Sequence, residues 1–74
     1  MALERLMPGD VGVVVRMALG DALEGRLRCF GLVPGTRVQC RYLSPDGSLT
    51  ALELRGTVIA LRTRDLKGIR VVRE

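Results

Sequence analysis

Apolar and polar residues alternate along most of this chain, and the alternation predicts short β-strands. The first alternating run covers residues 11–17 and follows a Pro-Gly turn. Side chains point to opposite faces of a strand at every second residue. One face of this run therefore carries Val11, Val13, Val15 and Met17. We expect that face to lie in the core.

A single segment, residues 21–30, has helical periodicity. Asp21 is its candidate N-cap, and Glu24 three residues later completes a relative of the capping box. The apolar stripe of this predicted helix consists of Leu23, Leu27 and Phe30. Gly31 stands where a left-handed C-terminal cap belongs, so we expect the helix to end there.

Further strands follow a second Pro-Gly turn. Residues 36–43 and 49–55 alternate and are joined by a Pro- and Gly-containing turn, which predicts a β-hairpin. Their predicted inward side chains are Val38, Cys40 and Tyr42 in the first strand and Leu52 and Leu54 in the second. Residues 57–61 are apolar on both faces, which predicts a strand covered on both sides. Residues 69–72 form the closing strand.

Five short strands and one short helix predict a mainly β fold. The expected architecture is a small SH3-like partly closed β-barrel of about five strands with one short α-helix, because closure removes exposed sheet edges. An OB-like barrel and an open sheet covered by the helix are the alternatives. The 74 residues leave no room for a second core, so residues 1–74 are predicted to form a single domain.

The chemistry of the side chains narrows the function. Twelve Lys and Arg residues against eight Asp and Glu give a net charge of +4, which suits an acidic protein, a nucleic acid or an anionic membrane surface. The chain has no His, and no nucleophile stands beside a plausible base, so we do not expect an enzyme. No apolar run approaches the ~18 residues of a membrane span, so we expect a cytoplasmic protein without membrane insertion.

The two cysteines do not predict a metal site. Cys29 and Cys40 form no CxxC pair, and two thiols without His supply half a coordination sphere at best. We therefore interpret both as reduced thiols and predict neither a metal nor a cofactor.

Four landmarks occur in order along nearly the whole chain. They are Leu6-Met7-Pro8-Gly9, a segment of the form R-L-x-x-x-G-L-x-P-G-[ST]-x-V from Arg26 to Val38, Ile59-Ala60-Leu61-Arg62, and Ile69-Arg70-Val71. Together they resemble the FeoA family, small accessory proteins of bacterial ferrous iron transport. The chain departs from the usual family pattern at Gly25 and at Cys29-Phe30, all within the predicted helix.

The resemblance implies an SH3-like barrel that associates with FeoB, the membrane permease with a cytosolic GTP-binding domain. It also implies, at the level of the family, transition metal ion binding. The function expected on this basis is that of a non-enzymatic accessory or regulatory module that acts by protein-protein interaction. A related SH3-like domain ends the chain of some iron-dependent repressors. A regulatory role separate from the permease is therefore an alternative.

The predicted partner-binding surface lies on the helix and on the corner after it. It consists of Arg26, Leu27, Phe30 and Leu32. These positions fall in the family signature, and Arg and large apolar side chains are the usual anchors of protein interfaces. Leu32 also has a structural interpretation, as the apolar contact that often accompanies a glycine cap.

The outward arginines of the hairpin offer a second possible surface. Arg37, Arg41 and Arg55 could neutralise phosphates in a nucleic-acid-binding SH3-like or OB-like module. Such modules usually stack bases on aromatic side chains. Phe30 and Tyr42 are the only aromatic residues and are predicted to lie in the core, so nucleic acid is the less favoured partner.

Overall fold

One five-stranded antiparallel sheet organises the computed structural model, which describes residues 1–74. Its strands are β1 (Val11–Met17), β2 (Arg37–Leu43), β3 (Leu49–Leu54), β4 (Thr57–Arg62) and β5 (Ile69–Arg73). Helix α1 (Asp21–Cys29) connects β1 to β2, and two 3-10 helices occupy Leu3–Arg5 and Thr63–Leu66. The predicted mainly β fold with five strands and one short α-helix is confirmed.

The barrel is closed only in part. The strands lie in the order β4-β3-β2-β1-β5, so β4 and β5 are the two edges of the sheet. The two 3-10 helices contact each other, and they also contact β5 and β4 respectively. Helical turns thus bridge the two edges where a closed barrel would have paired strands.

The core is one continuous cluster of twelve buried side chains. It consists of Leu3, Leu6, Val14, Leu27, Leu32, Val38, Cys40, Leu52, Leu54, Leu66, Ile69 and Val71. Strand β4 contributes to it only through Ile59 and Leu61, which are partly buried. The cluster draws on both 3-10 helices and α1, so these elements are held by the same burial that holds the sheet.

The predicted inward face of β1 is wrong except at Met17, which packs against the core. Val14 is buried, whereas Val15 is 51% exposed. A bulge between Val14 and Arg16 shifts the register of β1 against β5. One extra residue reverses the alternation, so Val14 before the bulge and Met17 after it both approach the core.

A second bulge changes the end of β2. Val38 and Cys40 are buried as predicted, but Tyr42 is 61% exposed, so its prediction as a core residue is wrong. The register against β3 shifts between Cys40 and Tyr42. The extra residue turns the phenol ring to the outer face of the sheet.

Strand β4 is not covered on both faces, contrary to the prediction. It is an edge strand in which Val58 is 50% exposed and Ala60 is also exposed. Its alternate residues, Ile59 and Leu61, face the core. A short apolar run does not distinguish a covered strand from an edge strand, because β-branched residues favour both.

Helix α1 begins one residue earlier than the predicted cap requires. Gly20 is the N-cap and no side chain caps the helix, so Asp21 lies in the first turn instead. The carboxylate of Glu24 accepts a hydrogen bond from the Leu19 N–H at 3.0 Å, one residue before the N-cap, so the predicted capping box between Asp21 and Glu24 does not form. Phe30 is 50% exposed and is the C-cap residue, so its prediction as a core residue is wrong.

A matched pair of glycine substitutions tests how α1 ends. Gly31 has φ +88°, and a Cβ there would lie 2.8 Å from Arg55 Cδ. We expect Gly31→Ala to lower the free energy of unfolding by about 1 to 2 kcal/mol, because L-residues are strained in this conformation. Gly25→Ala is the control. Its Cβ meets nothing within 4 Å, and Ala should stabilise the helix by roughly 1 kcal/mol. Denaturant titration that gives both variants the same sign would contradict this account.

The buried thiol of Cys40 predicts a pH dependence of stability. Burial, followed by the nearby charge of Asp10, raises the pKa of Cys40 above 9.0. The unfolded chain therefore loses this proton at lower pH than the folded chain does. The contribution of this thiol to the free energy of unfolding is fully present below the pKa of the unfolded chain. It is lost as pH rises toward the pKa of the folded chain.

We expect the free energy of unfolding to fall above pH 9.0, with one thiol contributing up to about 1.4 kcal/mol per pH unit. Cys40→Val should remove this contribution while keeping the apolar volume. Urea titrations across the alkaline range measure both slopes, and equal slopes in the two proteins would disprove the role of the thiol.

Candidate functional site

The corner after α1 is fixed by backbone hydrogen bonds. The Gly31 N–H donates to the Arg28 carbonyl at 2.9 Å, and the Leu32 N–H donates to the Leu27 carbonyl at 3.0 Å. This pair of bonds is a Schellman motif, which requires the positive φ of Gly31. The predicted glycine cap is therefore present.

Leu27 and Leu32 make the apolar contact that belongs to this motif. Both side chains are buried in the core cluster, so neither is available to a partner in this conformation. The structural interpretation of Leu32 is confirmed. Of the four predicted surface residues, Arg26 and Phe30 are exposed. Whether these two contact a partner stays a prediction.

Thr36 connects this corner to the sheet. Its hydroxyl donates to the Gly31 carbonyl at 2.8 Å and accepts from the Val33 N–H at 3.2 Å. Its backbone carbonyl accepts from the Val14 N–H at 2.9 Å. The C-terminal end of α1 is thereby held in a fixed position relative to β1.

The side chain of Arg55 lies across the corner from the β3–β4 turn. Its Cδ and Nε atoms come within 3.0 Å of the place where a Cβ of Gly31 would stand. Glycine at this position therefore allows the arginine to approach the backbone beside Phe30. The sequence pattern placed Arg55 on the hairpin surface, whereas the fold brings it to the end of α1.

A groove of about 250 Å³ separates α1 from β4. Its lining consists of Leu23, Arg26, Leu49, Ala60, Leu61, Arg62 and Asp65. We call it the α1–β4 groove. The partner-binding surface predicted from the sequence did not include Arg62, although Arg62 ends the third family landmark. Only the fold shows that Arg62 and Arg26 line the same groove.

The arginines differ in whether a carboxylate neutralises them. On the predicted hairpin surface, Arg37 pairs with Glu74 at 2.8 Å and Arg41 pairs with Glu53. Arg73 lies 3.7 Å from Asp10. Arg26, Arg55 and Arg62 form no ion pair with a carboxylate within 4.0 Å. Their charge is available to an external acidic group, whereas two of the three hairpin arginines already have partners.

The largest cleft lies elsewhere, between the β2–β3 turn and the second 3-10 helix. It measures about 530 Å³ and is lined by Glu4, Asp46, Gly47, Ser48, Leu49, Arg62, Thr63, Arg64 and Lys67. The backbone N–H of Ser48 and the hydroxyls of Ser44 and Ser48 lower the pKa of Asp46 to about 2. This carboxylate is engaged in its own turn.

The two thiols do not combine with other ligands. Cys29 is exposed and Cys40 is buried, and nowhere do three Cys, Asp or Glu side chains gather in a way that could hold a metal ion. None of the helices is long and apolar enough to cross a membrane.

The comparison with family models gives one match, to the FeoA domain over residues 1–73. Among curated proteins, no relative matches this chain. The solved structures include a FeoA protein from Chlorobium tepidum, 30% identical, which aligns over 96% of this chain and 68% of its own with a TM-score of 0.91. An iron uptake regulatory protein (FeoA) is 26% identical over 100% of this chain and 97% of its own, with a TM-score of 0.89.

A third structure adds a description of fold and role. FeoA from Stenotrophomonas maltophilia, complexed with zinc, is 28% identical over 100% of this chain and 95% of its own, with a TM-score of 0.81. That protein is described as a prokaryotic SH3 domain protein and a candidate bacterial ferrous iron transport activating factor. The SH3-like fold predicted for the present chain agrees with this description. The match over residues 1–73 shows that the chain belongs to the FeoA domain family.

Proposed function

We propose that this domain is a non-catalytic accessory module of bacterial ferrous iron transport. It acts in the cytoplasm by binding the cytosolic GTP-binding domain of a FeoB-type permease. The observation that carries the proposal is the family match over nearly the whole chain. The description of the Stenotrophomonas relative as a candidate transport activating factor supports the same role.

The proposed contact surface is the exposed side of α1 and its C-terminal end. Arg26 offers an unneutralised charge there, and Phe30 offers an exposed ring at the end of the helix. A partly exposed aromatic side chain next to arginines is the composition that protein interfaces favour. Leu27 and Leu32 support this surface from the core, because their burial holds the helix on the sheet.

A charge reversal on α1 tests the surface. We expect Arg26→Glu to weaken capture of the permease domain from the same genome by about fivefold or more, as loss of an interface charge does. Arg28→Glu is the matched control, because Arg28 is exposed on the same helix but lines a different cleft, with Met17 and Pro34. Melting temperatures show whether both variants stay folded.

The opposite result of the capture experiment would place the contact surface on the β2–β3 hairpin. If capture survives Arg26→Glu and Phe30→Ala but is lost on Arg37→Glu or Arg41→Glu, the partner binds the hairpin instead. If the unmodified domain captures no permease domain at any concentration tested, the proposed partner is wrong.

A nucleic-acid-binding module is the second candidate, and one observation favours it. Phe30 and Tyr42 are both exposed, so the surface offers two rings on which bases could stack. Against this candidate, Arg37 and Arg41 are paired with carboxylates. The family match also favours the transport role.

Salt-dependent binding to mixed single-stranded RNA separates the two candidates. A true binder loses affinity steeply as salt rises, because counterions compete for the phosphates. We expect no such dependence here and no effect of Tyr42→Ala. Tight binding that falls with salt and drops further on Tyr42→Ala would support the nucleic-acid function instead.

A further inference from the structure

Strand β4 leaves its outer backbone edge unpaired. Arg55 and Gly56, with φ of 51° and 78°, form the two-residue turn that places Leu54 opposite Thr57. In such a hairpin the flanking pair exchanges both hydrogen bonds, and pairs alternate from there. The N–H and C=O groups of Val58, Ala60 and Arg62 therefore point away from β3. No turn or loop hydrogen bond reaches them.

The other edge of the sheet, strand β5, is partly covered by the chain itself. The Val71 N–H of β5 donates to the Met1 carbonyl at 2.8 Å, and Ala2 forms a bridge with Arg70. The first residues of the chain thus cover part of that edge. Strand β4 has no hydrogen-bonded cover of this kind. Two of its outward positions, Val58 and Ala60, carry neither charge nor proline, and the only charge along this edge is that of its last residue, Arg62. Edges without these protective features readily pair with another strand.

The charges beside β4 indicate what kind of strand fits. Arg26 and Arg62 line the α1–β4 groove with Asp65 as its one acidic residue, and Arg55 lies at the turn that opens β4. None of these arginines forms an ion pair with a carboxylate within 4.0 Å. A second copy of this chain would bring its own Arg55 and Arg62 to the same edge, so like charges disfavour self-pairing. An acidic segment is favoured.

We propose that β4 binds an extended acidic segment of the partner by β-strand addition. The backbone groups of Val58 and Ala60 pair with the segment, and Arg26 and Arg62 face its carboxylates. Main-chain hydrogen bonds supply affinity in this mode, and alternate side chains supply specificity. The identity of the partner rests on the proposed function, in which the segment belongs to the cytosolic part of the permease.

A peptide titration tests the edge without the permease. The probe is a short, end-blocked peptide of alternating Val and Glu, compared with one of alternating Val and Lys. We expect saturable amide NMR shifts and slower solvent exchange at Val58, Ala60 and Arg62 with the acidic peptide only. Absence of saturable shifts at β4, or equal binding of both peptides, overturns the inference. So does a concentration-dependent shift of these amides without peptide, because it would place a second copy on the edge.

Two variants separate charge from backbone pairing. Arg62→Glu should lower affinity for the acidic peptide by about tenfold, equivalent to 1.4 kcal/mol. Arg64→Glu, an equal charge change two residues away on the second 3-10 helix, should not. Ala60→Pro removes an outward N–H while the β3 pairing of Ile59 and Leu61 stays possible, and it should weaken binding about fivefold or more. If Ala60→Pro does not fold, Arg62→Glu still decides.

The permease domain then distinguishes this inference from the proposed function. If that domain is captured equally by the unmodified protein, Arg62→Glu and Ala60→Pro, the proposed function stands and the β4 inference fails. If the acidic peptide binds β4 but the permease domain is not captured, the strand-binding edge stands and the proposed partner is wrong.

Discussion

The placement of α1 depends on one backbone conformation, the positive φ of Gly31. It allows the Leu32 N–H to reach the Leu27 carbonyl and turns both leucine side chains into the core. Thr36 then ties the same corner to β1 through the Val14 N–H. An isolated helix of nine residues is only marginally stable in water, so α1 is held by this corner and by the leucines beneath it.

The burial of the leucines decides what remains for recognition. A small domain uses most of its inward positions for its single core, and here both leucines of the family signature are used in this way. The outer side of α1 keeps Arg26 and Phe30, and Arg55 and Arg62 reach the same side from β4 and its turn. These three arginines form no ion pair, whereas Arg37 and Arg41 on the hairpin are paired.

The two edges of the sheet differ in how far the chain itself covers them. Strand β5 is covered in part by Met1 and Ala2, which supports closure of the barrel on that side. Strand β4 carries less of the core and presents its outward backbone groups beside the α1–β4 groove. If a partner adds a strand there, its side chains meet the arginines, so the helix surface and the strand edge are two parts of one binding region.

Local periodicity and residues with special backbone preferences were enough to predict the strands, the single helix and the glycine cap, and four ordered motifs were enough to predict the family. Gly31 is the clearest case, since few other residues adopt its conformation. The outward face of Tyr42 was decided by a bulge in β2, and a bulge in β1 lets both Val14 and Met17 face the core. The exposure of β4 was decided by its position at the sheet edge. The meeting of Arg26 with Arg62 joins residues far apart in the chain, and only the packing of α1 beside β4 brings them together.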